Sequence, residues 1–267
     1  MGRIDDSFQR FHGSLTLTEG MKQQISERLQ AMQGFLQGTW RTPEVLPIGS
    51  YARGTIVPPV KDADVLFVHA AGAPGRDAAQ VLREVNAALA QRYGATRVQR
   101  HSVQVRFEDF AIDVVPACGG DGRYYIPELK EHGDPSRGGA WIETTPRAQD
   151  ERVRRANGTH GGFATRLIAT LKHMNQGHGT RLKSFHLETM VLDRLEHAQG
   201  SGQTFAEVLP GWLDARAGHM AASGEAYLTV QTRAEIGQRY RNDAATMREA
   251  LTRDDVALAR KVVPGLP

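Results

Sequence analysis

Asp62 and Asp64 stand two residues apart at the head of an otherwise apolar run, Val65, Leu66, Phe67 and Val68. On a strand, side chains at i and i+2 share a face, so these two carboxylates would lie side by side. Two like charges packed at the head of a buried strand are unfavourable unless something neutralises them. A hard divalent cation does so, and magnesium favours carboxylate and phosphate oxygens. A third acid, Asp113, interrupts the apolar run of Phe110, Ala111, Ile112, Val114 and Val115. If its strand lies beside the first, it completes a three-carboxylate metal site for two magnesium ions, with manganese as the alternative. Asp113 is then the natural general base, or the ligand that lowers a hydroxyl's pKa through the metal. Gly49-Ser50 precedes these acids in the chain. A glycine lets the backbone approach a phosphate, and Ser50 adds a hydroxyl and an amide donor. Arg53 and Thr55 follow in the same loop with a charge and a hydroxyl, and Arg53 reads equally well as a surface residue.

Each signal has a bland counterpart. A lone D-x-D commonly sits on a surface loop, and a Gly-Ser dipeptide alone is a turn. Specificity comes from the order: a Gly-Ser turn, paired acids opening an apolar strand, then an acid inside a later apolar strand.

The elements that must position these residues are legible from periodicity. Met21, Ile25, Leu29, Met32 and Leu36 mark an amphipathic helix over 18–37, capped by Thr16 or Thr18 and stopped at Gly38. After a Gly- and Pro-bearing stretch at 43–59, residues 63–69 read as a buried strand and 72–75 as a loop. Val81, Leu82, Val85, Ala88 and Leu89 place a second helix over 77–92. Two strands follow at 103–107 and 110–115, turned by Glu108-Asp109. Residues 124–147, rich in Gly, Pro and charge, suggest an extended connection. Helices are expected at 163–175, 184–198 and 232–251, with a last one near 254–262. The class is α+β, with a strand-containing unit over 1–125 and a mostly helical unit over 126–267.

Composition narrows the setting. The chain has 267 residues, 40% of them hydrophobic, enough for one large domain or two tightly packed lobes. A net charge of +3 suits a protein that handles phosphates and does not indicate nucleic-acid binding. Cys118 is the single cysteine, which excludes an intrachain disulfide framework and fits a reducing cytoplasm. The polar start at 1–13 is unlike a secretory signal, and the apolar runs are too short to span a bilayer, so no membrane association is expected.

The Gly-Ser turn, the D-x-D and the later Asp resemble the signature of the polymerase-β-like nucleotidyltransferase superfamily. Within it, residues 49–55 (Gly-Ser-Tyr-Ala-Arg-Gly-Thr) resemble the bacterial cGAS/DncV-like nucleotidyltransferases, or CD-NTases. So do Ser102 to Phe107 leading into Ile112-Asp113-Val114-Val115-Pro116-Ala117, then Tyr125-Ile126-Pro127, Trp141 and Thr145-Pro146. The likeness continues through Leu171-Lys172 and Lys183-Ser184-Phe185-His186-Leu187-Glu188 and covers roughly residues 4–195. Residues 218–239 lack the Asp-Pro and later Asn features of many relatives.

The resemblance implies a bilobal fold with a sheet-containing catalytic lobe, a helical lobe and the active site between them. It implies an enzyme that joins NTPs, ATP among them, into a cyclic di- or trinucleotide second messenger with release of pyrophosphate. Antiviral (CBASS-type) defence and a separate downstream effector would follow. By position, Lys172 and Ser184 would contact the triphosphate and Phe185 would stack on the donor base. A helix start favours anions, a lysine suits phosphate, and an aromatic face accepts any base. Read without the resemblance, Ser184 is an N-cap, Phe185 a core residue and Lys172 a solvated helix residue.

An RNA-tailing or tRNA-end nucleotidyltransferase uses the same carboxylates and is the alternative enzyme, although no RNA module or strongly basic stripe is visible. A non-catalytic nucleotide sensor on this fold would have lost a metal carboxylate, and all three are present. His173, His178 and His186 match no common zinc spacing. Arg152, Arg154 and Arg155 read as a solvated surface, and Trp141 and Trp212 as packing residues.

Overall fold

The structure, a computed structural model, describes residues 2–42, 44–69, 76–131, 134–177, 182–197, 204–222 and 228–267. The expected loop at 72–75 and His178 lie outside the described residues. In chain order the first elements are α1 (Arg3–Ser14), α2 (Glu19–Trp40), β1 (Val45–Ile48), α3 (Gly49–Ala52), β2 (Asp62–Val68), α4 (Ala78–Tyr93) and β3 (Thr96–Val98). Next come β4 (Val103–Arg106), β5 (Ala111–Gly120), β6 (Arg123–Glu131), β7 (Asp134–Thr144) and α5 (Pro146–Thr159). The chain then continues as α6 (Phe163–Gly177), α7 (Ser184–Leu195), α8 (Phe205–Ala221), α9 (Val230–Arg253) and α10 (Val256–Val262). Two compact units result, one of Leu17–Arg155 and one of Met1–Thr16 with Ala156–Pro267.

In the first unit the strand order is β1-β2-β5-β4-β3, with β6 paired to β5 and β7 to β6. β2 and β5 run parallel, while the remaining pairs are antiparallel. Strand alternation divides the sheet into two faces. Ala63, Val65 and Phe67 of β2 join Ile112 and Val114 of β5 in a core with α2 (Ile25, Leu29, Met32, Leu36) and α4 (Val81, Leu82, Val85, Leu89). The other face holds a smaller apolar cluster, Leu66, Val115, Ala117 and Tyr124. Asp62, Asp64 and Asp113 share the parity of this second face, so the larger core keeps its apolar packing and the acids stay outside it.

Two boundaries differ from expectation for physical reasons. Thr18 caps α2 as expected, accepting from the Met21 amide at 3.3 Å. The helix nevertheless runs past Gly38 to Trp40, where Arg41 takes the left-handed cap at φ 48. Gly38 is exposed and costs only about 1 kcal/mol in a helix interior. Trp40 packs on Phe67, with 5.1 Å between ring centroids, and holds the last turn on the core.

The expected extended connection at 124–147 is instead the β6–β7 hairpin, which carries the sheet onward and ends where α5 begins. Its glycines are what disguised it. A Cβ on Gly139 would sit 3.1 Å from the Glu128 carbonyl oxygen and 3.3 Å from the Ala79 amide, so glycine lets β7 lie against α4. Trp141 secures the same contact, its Nε1 donating to the Arg76 carbonyl at 2.8 Å. The hairpin belongs to the compact unit that runs from Leu17 to Arg155.

The second unit gathers the helices, including α1, which sequence reading left unassigned. Ile4, Phe8 and Phe11 form its buried stripe, and Asp254 accepts from the Arg3 and Ile4 amides at 3.0 and 3.1 Å. One carboxylate at the end of α9 thus satisfies the otherwise unpaired first amides of α1. The expected helices at 163–175, 184–198 and 232–251 are α6, α7 and α9, and the last is α10. α8 was not anticipated. It carries Pro210 and Gly211 and is buried on several sides, so no single apolar stripe betrays it.

Two polar pairings in this unit make measurable demands. Lys172 of α6 and Glu188 of α7 form a buried ion pair at 2.5 Å, with the lysine 4% exposed. His12 of α1 has Nε2 3.2 Å from Thr170 Oγ1, while the Thr170 hydroxyl donates to the Arg166 carbonyl, so His12 is the donor. Burial, reinforced by the charge of Arg166, lowers the His12 pKa to about 4.

Lys172→Met should lower stability by about 3–5 kcal/mol in urea denaturation, because Glu188 is left charged and buried. Lys172→Met/Glu188→Leu should recover most of that loss. His12 stays neutral when folded, so its contribution is full above about pH 6.5 and is lost as pH falls toward 4, where only the unfolded chain takes up the proton. The fall should be on the order of 2 kcal/mol after allowing for solvent access. His12→Gln should flatten that part of a urea-stability profile measured across pH 4–7.

Candidate active site

β2 and β5 meet in parallel register with Asp64 opposite Asp113 and Asp62 opposite Ala111. On the other side of β2, Ile48 of β1 pairs with Asp64. The strands therefore place Asp64 and Asp113 side by side, at the start of both strands and on the face away from α2 and α4.

Asp113 is 9% exposed and has the most restrictive setting. Burial first, and the Asp62 charge second, raise its pKa to about 6. The hydrogen bond from Gln104 partly offsets this, and a second amide reaches the same carboxylate. Gln104 Nε2 donates to Asp113 Oδ1 at 3.1 Å and Gln99 Nε2 to the same oxygen at 3.3 Å. Gln104 lies opposite Asp113 on the neighbouring strand, between Val103 and Val105. The signal for it was the polar position in an alternating strand, which sequence reading used to find the strand without assigning the glutamine a role.

Gly49 follows β1 directly and starts the single turn of α3, with φ +71. A Cβ here would sit 1.9 Å from Asp64 Oδ2. Both the left-handed backbone and the close approach demand glycine, which sets the chain over the Asp64 carboxylate. Ser50 is half-buried on the same turn, and the Thr55 amide donates to its carbonyl at 2.9 Å. Thr55 is fully buried. Arg53 is not a surface residue: its side chain is 9% exposed and pairs with Asp150 of α5 at 3.8 Å.

The remaining candidates belong to the helical unit. Ser184 is not an N-cap. Lys183 holds that position, and Ser184 is the exposed first residue of α7. Phe185 is not a core residue either, since it is 54% exposed. Lys172 is neither solvated nor on the surface but lies in the ion pair with Glu188, a partner that sequence reading did not identify. His173 has Nε2 2.6 Å from the Pro264 carbonyl oxygen, a structural contact. Trp212 is buried, as a packing residue would be. Among the described residues, no three His, Cys, Asp or Glu side chains are arranged to hold a metal ion by themselves.

Comparison with known proteins agrees with this fold. At 16% identity, the CdnC of E. coli MS115-1, solved in complex with HORMA-deltaN, superposes with a TM-score of 0.77 over 98% of this chain and 97% of that one. The Bradyrhizobium diazoefficiens CD-NTase CdnG, solved with GTP, gives 0.73 at 13% identity over 98% of each chain. Vibrio cholerae DncV, a cyclic AMP-GMP synthase solved with a linear intermediate, gives 0.70 at 11% identity, covering 95% and 92%. At these identities the shared property is the fold, an α+β nucleotidyltransferase architecture with a sheet-containing N-terminal region and a helical C-terminal region.

A probable cyclic nucleotide synthase of Bacillus cereus (strain VD146) is 22% identical over 194 residues, which are 58% of this chain and 56% of that protein. The family model for the Second Messenger Oligonucleotide or Dinucleotide Synthetase domain matches residues 2–157. That span takes in the glycine turn, the paired strands and all three aspartates, and on it the chain belongs to the Second Messenger Oligonucleotide or Dinucleotide Synthetase family, the group that also includes the CD-NTases.

Proposed function

We propose that this protein joins NTPs into a cyclic di- or trinucleotide second messenger, releasing pyrophosphate at each step. The observation that carries the reading is the Asp64–Asp113 pairing, with Asp62 close enough to raise the Asp113 pKa. The site fits a divalent cation chemically, because three acids share one face and their mutual repulsion is relieved by positive charge. Asp62, Asp64 and Asp113 would hold magnesium or manganese, two ions per site. The ions would neutralise charge on the reacting phosphate and the departing pyrophosphate.

The chain's own groups divide the remaining work. Both glutamines donate to Oδ1 of Asp113, which leaves Oδ2 to take the proton from the attacking 2′- or 3′-hydroxyl. Gly49 and Ser50 offer close backbone and a hydroxyl to the triphosphate. Ser184 would add its hydroxyl at the start of α7, where free amides favour anions. Phe185, an exposed aromatic face, would stack on the donor base. Lys172 would lend positive charge toward the triphosphate while anchored by Glu188.

Substrates would be NTPs including ATP, and the product would act on a separate effector in antiphage defence of the CBASS type. We place the enzyme in the cytoplasm. No helix among the described residues is long and apolar enough to cross a membrane.

Incubation of the full chain with four labelled NTPs and magnesium or manganese, followed by mass analysis, tests the reading. A phosphatase-resistant di- or trinucleotide is expected. Extension of a supplied RNA end, with no product in its absence, would replace the proposal with the tailing enzyme.

Asp113→Asn should reduce turnover on the order of 10²–10³-fold or more. Its metal-free melting temperature at pH 7.5 should equal or exceed that of the parent, because a penalised charge has been removed. Gly49→Ala should keep the fold by circular dichroism yet cost roughly a hundredfold in kcat, since the new methyl displaces Asp64.

A further inference from the structure

α7 and α8 bound a cavity of about 710 Å³ in the helical unit. Six residues of α7 line it, with His197 just beyond that helix and Ala215 and His219 from α8. The α7 lining falls in two adjacent stripes, one of Phe185, Thr189 and Asp193 and one of His186, Met190 and Arg194. Two features of the first stripe are unfavourable without a ligand. Phe185 leaves an aromatic ring 54% exposed. Thr189 has a buried Oγ1 with no hydrogen-bond partner among the described residues. An exposed ring forgoes the gain of burial, and a buried hydroxyl without a partner bears a desolvation cost.

A single kind of ligand answers both: a flat group with an apolar face and a hydrogen-bonding edge, which describes a nucleobase. We infer that the α7–α8 cavity seats the base of the bound nucleotide and that Thr189 determines which base is preferred. This rests on the proposed function only in taking Phe185 as the stacking platform. The cavity lies within the 300–1,000 Å³ typical of ligand sites and leaves room for a ribose beside the base. One turn from Phe185, the Thr189 hydroxyl both donates and accepts, so it can pair with the edge of the base whose face rests on the ring. Phe185 would then supply affinity common to all bases, since every base has a π-face. Discrimination would fall to the hydroxyl, because a base that fails to satisfy it leaves it buried and unpaired.

The test is calorimetric binding of the four α,β-methylene NTPs to the full-length protein, with melting temperatures as a check on folding. The parent should prefer one or two bases. Phe185→Ala should weaken all analogues by a similar factor, about five- to a hundredfold. Thr189→Val, which keeps the shape and removes the hydroxyl, should weaken the preferred analogue about two- to tenfold and the others less than twofold. Thr189→Ser should restore the preference. If Thr189→Val shifts all four equally or none, or if the parent has no preference, the role of Thr189 is overturned. Should the parent bind none of the analogues and also form no product from NTPs, the proposed function fails and takes this inference with it. Product formation alongside unchanged selectivity in Thr189→Val overturns the inference alone.

Discussion

The parallel pairing of β2 with β5 places Asp64 opposite Asp113 with Asp62 one step away, and most features of the catalytic unit answer to that pairing. Carboxylates on neighbouring strands repel one another, and Asp113 is also buried, so its pKa rises to about 6. A strand that existed only to fill a core would carry another valine there. The fold absorbs the acids by giving them the second face of the sheet, while Ala63, Val65, Phe67, Ile112 and Val114 meet the helices on the first. Strand parity is what allows a strongly apolar strand and an acidic site to share seven residues.

Around that constraint the supporting groups fall into place by geometry. Gln99 and Gln104 hold one oxygen of Asp113. Gly49 lies so close to Asp64 that no side chain fits between them, and its positive φ turns β1 into α3 at that point. Arg53 is drawn inward to Asp150, which steadies the end of the same turn. A site of this kind keeps its geometry because its members are fixed by strands and by a turn with one allowed conformation, rather than by mobile loops.

The helical unit follows a different logic. Its core is built by apolar stripes, with Lys172 paired to Glu188 inside it and Asp254 bound to the first amides of α1 at its end. An exposed Phe185 and a buried Thr189 hydroxyl without a hydrogen-bond partner among the described residues stand on the same helix, at the same cavity. Local sequence preference and tertiary packing agree across most of this unit, and such departures gather where a protein binds something.

The sequence by itself determined the acids, the helices that carry an amphipathic stripe, and the order of turn, strand and strand that points to metal-dependent phosphoryl chemistry. Those features are written in spacing, which survives without knowledge of the fold: two residues for a strand face, three or four for a helix face. Only the tertiary structure decided the rest. Whether 124–147 is a connection or a hairpin depends on α4 lying near enough to require Gly139, a contact invisible to local propensity. Arg53 and Lys172 read as solvated charges until Asp150 and Glu188, distant in the chain, are seen to bury and pair them. Phe185 reads as core because phenylalanine usually is, and only the arrangement of α7 and α8 leaves it exposed. Burial and pairing are properties of neighbours that the chain brings together from afar, which is why spacing identified the chemistry and the fold assigned the partners.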